Sequence, residues 1–321
     1  MVIVGLDGFA KAKAKFQPRQ RPYVGNAAVP LQGVAQVAGS GLYYIDGSGT
    51  VRVLRANTQP QVVATFPQQP TQYETWFAVS PDGSRVLAGV LQLPAMGAVP
   101  SGCTGMCLPP LIGQWKYSLQ TAQAGGTSTV LNHYESDTHP DAPGSTWKPT
   151  FPVGWTSTGP VAMVPVSLGT QNFWDGGPLY VVDDAGNKGM QLGGSACHSA
   201  SITSDGFIPC ISNQGLVEVR NSAGLLIWAA NVETNADSVY LSPDIQALSD
   251  GSSGLVAMRN GASVRLPVGF RVEGWLAPNT VVGRVWQPDG LGAGNLSWIS
   301  LGDPGTIHDL GFKGDFVATL A

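Results

Sequence analysis

Short apolar runs, bounded by Gly, Pro, Asp and Ser, recur along the whole chain, and nowhere does a long stretch keep helical spacing. The unit is clearest in Trp76-Phe-Ala-Val-Ser-Pro-Asp-Gly-Ser-Arg-Val-Leu-Ala-Gly-Val90, which reads as an apolar strand, a tight Pro-Asp-Gly turn and an alternating strand. Related strand–turn–strand patterns occur at Trp155–Met163, Ser201–Ile208, Tyr240–Ile245 and Trp275–Val282, with a degenerate copy at Val37–Ile45. Set on Ser80, the turns fall near residues 38, 80, 157, 203, 242 and 277. The one long step, 80 to 157, becomes blade-sized once about 30 inserted residues are removed, because propeller repeats run about 40–50 residues. Two further strand signals follow each hairpin: Thr50–Leu54 and Gln61–Phe66 in the first unit, Leu216–Arg220 and Leu225–Ala230 in the fourth, and Asn295–Leu301 and Thr306–Leu310 in the sixth.

Four strands repeated six times predict an all-β chain folded as a single β-propeller of six four-stranded blades. Spare strands at Met1–Leu6 and Phe316–Leu320 offer the alternative of seven, if both ends share one blade. The propeller is expected over 30–321, with insertions at 93–112 and 133–152 and a lead segment, 1–29, that contributes a closing strand in the seven-bladed version.

The hairpin Ser80-Pro81-Asp82-Gly83, followed by Arg85-Val86-Leu87, resembles the WD40-like PD40 repeats of TolB-type propellers. That resemblance covers one good copy and four eroded ones. It implies a fold, commonly bacterial and extracytoplasmic, and brings no catalytic residue with it.

Composition agrees with many short strands: Gly numbers 42 and Pro 24, while charged residues are 12% of the chain. Residues 1–29 carry Lys11, Lys13, Lys15, Arg19 and Arg21 against Asp7, leaving an acidic body. An acidic body without basic aromatic clusters argues against a nucleic-acid partner. No apolar run is long enough for a transmembrane helix, and no export signal is visible at the start.

In a blade, connections between the second and third strands, and from the fourth strand to the next blade, leave one face of the ring. Leu93–Ile112, His133–Pro152, Ser167–Gly177 and Gln287–Gly294 all belong to that face, where function is expected. Trp147, Phe173, Trp174 and Asp175 lie there as candidate anchors for a protein, peptide or glycan. Within His133–Asp141, the residues Asp137, His139 and Asp141 have side chains suited to Zn²⁺ or Ca²⁺, although a solvated loop needs no metal. Cys103 and Cys107 form one local pair and Cys197 and Cys210 another, read as two disulfides, with a metal-binding thiol pair or buried free thiols as alternatives. Two disulfides favour a secreted or cell-surface protein over a cytoplasmic one.

The functional expectation is a non-catalytic extracytoplasmic binding propeller without a cofactor. One alternative is a metal-dependent hydrolase or lactonase; another is a self-associating structural subunit of a surface assembly. No Gly-x-Ser-x-Gly elbow, P-loop or dinucleotide fingerprint is present.

Overall fold

The computed structural model describes residues 2–4, 10–15, 35–67, 73–98, 101–102, 111–138, 145, 147–165, 176–195, 197–199, 201–211, 216–231, 239–251, 253–286, 294–313 and 316–319. These contain strands and turns and no helix, so none long and apolar enough to cross a membrane.

Six antiparallel sheets follow one another along the described chain, each built outward from its first strand. The first sheet comprises Ala35–Ala38, Gly41–Ile45, Thr50–Leu54 and Gln61–Thr65. The second comprises Tyr73–Val79, Arg85–Gln92, Trp115–Gln123 and Thr129–Ser136. Phe151–Thr156, Gly159–Met163, Leu179–Val182 and Lys188–Leu192 form the third. In the fourth, Ile208–Ile211, Leu216–Arg220 and Leu226–Asn231 are joined by residues 197–199 through a bridge between His198 and Ile211. The fifth holds Tyr240–Leu241, Ala247–Ser249, Leu255–Met258 and Ser263–Arg265, and the sixth Phe270–Ala277, Thr280–Val285, Leu296–Ser300 and Asp303–Phe312. A separate hairpin pairs Val2–Val4 with Ala10–Lys13.

First strands of neighbouring sheets lie side by side: Tyr73–Val79 against Ala35–Ala38 and Phe151–Thr156, and Tyr240–Leu241 against Phe270–Ala277. Radial sheets with adjacent inner strands are the β-propeller architecture that the repeated pattern predicts. Core residues lie between the sheets. Tyr43, Ile45, Val51 and Val53 meet Phe77, Val79, Val86 and Ala88 between the first and second. Trp76, Leu91, Tyr117 and Leu119 meet Phe151, Val161 and Met163 between the second and third. Each Val, Leu, Ile, Phe or Met side chain so removed from water contributes roughly 1.5–3 kcal/mol before entropy is set against it.

The Pro-Asp-Gly turn forms as its residues require. Asp82 accepts Oγ–H from Ser80 (2.5 Å) and N–H from Ser84 (3.0 Å), and Gly83, at φ 72°, donates to Ser80 O. These bonds, Ser80 first, bring the Asp82 carboxyl down to about 2. The copy at Ser242–Ile245 keeps the serine–aspartate bond at 2.7 Å but places Ile245 at φ 57°, a conformation that β-branched residues resist.

Candidate functional site

The face opposite the Pro-Asp-Gly turns carries the long connections. The insertion after Gln92 begins as a two-residue ribbon, Ala95–Met96 against Leu111–Ile112. In the third sheet, the connection between the second and third strands is pinched at its base, where Val164 N–H donates to Pro178 O at 3.1 Å. Gly177 is required there, since a Cβ would come within 1.8 Å of Val164 O. Gly177 and Ser199 exchange backbone hydrogen bonds of 3.3 and 3.0 Å, so this base leans on the innermost segment of the fourth sheet. That segment is fixed by a disulfide between Cys197 and Cys210, whose Cα atoms are 4.9 Å apart and whose side chains are both buried. Ser199 is the residue facing Cys210, since His198 bridges to Ile211; the cross-link therefore runs one step along the diagonal. Cys103 and Cys107 lie outside the described residues.

Trp147 is not an exposed anchor. It is 7% exposed and belongs to the core between the second and third sheets. Its ring stacks on Tyr134 (centroids 6.4 Å, planes 19° apart), which in turn stacks beside Tyr117 (6.4 Å, 25°). Burial pushes the Tyr117 phenol well above its ordinary range, and its O–H donates to Thr150 O at 2.5 Å. The loop position of Trp147 hid this role, because only the fold shows that its ring packs on Tyr134 of Thr129–Ser136. Phe173, Trp174 and Asp175 lie outside the described residues.

Among the candidate metal ligands, Asp137 is described and exposed just past the end of Thr129–Ser136, with no hydrogen bond or ion pair among the described residues. His139 and Asp141 lie outside the described residues, among which no three His, Cys, Asp or Glu side chains converge as a metal site. The rest of the acidic cluster is divided, because Glu135 is held by Lys116 at 3.0 Å on the strand itself. Two other carboxylates on this face brace turns. Asp46 is buried, which raises its pKa, yet Ser48, Thr50 and Arg52 donate to it and bring the net value below the ordinary range. Asp250, 1% exposed, accepts the Ser253 N–H at 2.9 Å.

The structure adds a pair that the sequence pattern did not single out. Arg271 lies 4.5 Å over the ring of Trp286, which is 37% exposed, beside a fully exposed Val268. Both residues stand at strand ends on the insertion-bearing face of the sixth sheet. The available signal was the position of Trp286 directly before the Gln287–Gly294 loop.

No family model matches this chain, and no curated protein matches it. Among solved structures, it is similar to an oligogalacturonate lyase in complex with manganese, at 11% identity and TM-score 0.32, over 86% of this chain and 63% of the other. A puromycin-hydrolyzing peptidase from Mycobacterium tuberculosis is similar at 15% identity and TM-score 0.46, over 86% and 44%. An oligogalacturonate lyase from Vibrio parahaemolyticus follows at 9% identity and TM-score 0.32, over 84% and 62%. The chain thus spans about two-fifths to three-fifths of the length of these proteins, and the likeness concerns the fold alone. The fold defines the class: a β-propeller.

The expectation of a non-catalytic binding propeller anchored on Trp147 is corrected. One of its aromatic anchors, Trp147, is a core residue.

Proposed function

We propose that the chain is a catalytic propeller, a metal-dependent hydrolase or lactonase working at its insertion-bearing face, with Asp137, His139 and Asp141 as the metal ligands. The one-sided placement of the long connections supports this reading most. Their described bases, at Ala95–Met96 with Leu111–Ile112 and at Val164 with Pro178, rise from neighbouring sheets on a rigid scaffold, while the opposite face is closed by tight turns. Asp137 fits a ligand role because its carboxylate is exposed on this face and engaged by no described group, whereas Glu135, Asp46 and Asp250 are already committed to partners. Two carboxylates and an imidazole within five residues are a donor set for Zn²⁺, or for Ca²⁺ once carbonyl oxygens join. Zn²⁺ held there would supply a nucleophilic water at neutral pH, and either ion would polarise a substrate carbonyl.

The Cys197–Cys210 disulfide supports an extracytoplasmic location for this activity. The PD40-like hairpin at Ser80–Gly83 fits a TolB-type origin of the repeat.

The test is hydrolysis of a panel of esters and lactones by the full chain, with and without EDTA. Activity that vanishes on chelation, returns with Zn²⁺ or Ca²⁺, and falls at least about 100-fold in Asp137→Asn supports the proposal. Activity indifferent to chelation, or no turnover of any ester or lactone by metal-supplemented protein, overturns it.

A further inference from the structure

We infer that the insertion-bearing end of the sixth sheet docks onto an anionic lipid surface, with Val268 and Trp286 as its apolar contacts and Arg265, Arg271 and Lys313 as its cations. The inference goes beyond the proposed activity and uses none of the metal-ligand residues.

The connection from the fifth sheet to the sixth is a tight turn. Phe270 N–H donates to Pro267 O at 3.0 Å, and Gly269 stands at φ 81°, the left-handed conformation that such a turn asks of glycine at its third position. Both flanks are anchored. Leu266 is buried and donates its N–H to Gly254 O at 2.8 Å, while Trp286 N–H donates to Gly269 O at 2.8 Å. Val268 is thereby fixed at the tip with its side chain fully exposed. An apolar side chain so placed gains nothing from the fold, and a turn already ordered loses little entropy on binding. No neighbour covers the tip, so it is a convex point rather than the concavity a small ligand fills.

Trp286 lies beside this tip under the Arg271 guanidinium. Tryptophan, with an apolar body and a polar N–H, is a residue favoured at the lipid–water boundary. Three cations stand at the same end of the ring. Arg265 closes the last strand of the fifth sheet, Arg271 follows Phe270 at the start of the sixth, and Lys313 follows the last strand, Asp303–Phe312. All three are exposed, and none pairs with a carboxylate among the described residues. Deeper in the sheet Arg284 and Glu273 neutralise each other, so these positive charges stand out in a chain of formal net charge −4. Cations around a protruding apolar tip match phosphate headgroups above an acyl layer. Ile112 and Ile211 are also exposed on this face, on the second and fourth sheets. Apolar contacts spread over separate sheets suit a broad surface rather than a peptide lying in one groove.

The test is co-sedimentation of the full chain with large vesicles, either phosphatidylcholine alone or an equal mixture with phosphatidylglycerol, at low ionic strength. Binding is expected to be at least about tenfold tighter to the anionic vesicles. Val268→Asp should weaken it at least about tenfold, and because that side chain touches nothing the variant folds as wild type does. Arg271→Gln should weaken it about fivefold, the loss of one cation near a charged surface. Leu225→Asp, at an exposed leucine in the turn before Leu226–Asn231, puts the same charge elsewhere and should bind as wild type does. Absence of binding to the anionic vesicles, or equal binding to both kinds, would overturn the inference. So would Val268→Asp binding as wild type does, or Leu225→Asp losing as much as Val268→Asp.

Discussion

Removing the Cys197–Cys210 cross-link tests how the fourth sheet is held. Among the described residues, its innermost segment is joined to Ile208–Ile211 by a single bridge pair, His198 with Ile211, where the other sheets have a regular inner strand. The disulfide spans 13 residues, for which the loop-entropy relation gives about 3 kcal/mol of stabilisation. With an unfolding entropy of about 2.1 cal/mol/K per residue, that loss lowers the midpoint of a 321-residue chain by about 4–5 °C. The double variant Cys197→Ala/Cys210→Ala avoids a lone thiol. Scanning calorimetry gives the midpoint, and hydrogen exchange locates the damage. Exchange should accelerate first at Ser199 and Gly177, which exchange backbone bonds beside the cross-link, and little in the first sheet. A wild-type midpoint, or a lower one with Ser199 and Gly177 unchanged, would refute the view that the disulfide holds this segment to the fourth sheet.

Other expectations follow from single side chains. Trp147→Ala should cost about 3–5 kcal/mol in denaturant unfolding, as a buried aromatic does, whereas an exposed anchor would leave stability unchanged. Tyr117→Phe leaves Thr150 O without its donor and should cost about 1–3 kcal/mol by the same measurement. Ile245→Asn relieves a left-handed β-branched residue and should raise stability by about 1 kcal/mol. Because Asp82 titrates lower in the folded protein than in the unfolded chain, its contribution is complete above about pH 5 and lost toward pH 2. The midpoint difference between wild type and Asp82→Asn should therefore shrink as pH falls through that window.

Much of the fold was legible because its signals are local. Alternation and turn residues placed Thr50–Leu54 and Leu216–Arg220 at the strand bounds found in the structure, and put the ends of neighbouring strands within a few residues. The sequence left six blades against seven open, and bonds such as Asn57 to Lys11 and Phe316 to Glu273 were not legible, because no sequence period records them. Ile245 shows a related limit: the turn survives the loss of its glycine because Ser242 and Asp244 still close it. Topology placed the long connections on one face, but a position in a loop did not reveal that Trp147 folds back onto Tyr134. Trp286 with Arg271 was missed for the opposite reason, since its place directly before the Gln287–Gly294 loop does not by itself show that the ring is exposed.

The proposed activity depends on a metal at Asp137, His139 and Asp141. The most direct measurement is metal content by mass spectrometry, on wild type and on the variant Asp137→Asn/His139→Gln/Asp141→Asn, both purified without chelator or affinity tag. The account predicts stoichiometric Zn²⁺ or Ca²⁺ in the wild type and its loss from a variant with unchanged thermal stability. Wild-type protein that carries no divalent metal, and takes up none when Zn²⁺ or Ca²⁺ is supplied, would contradict it.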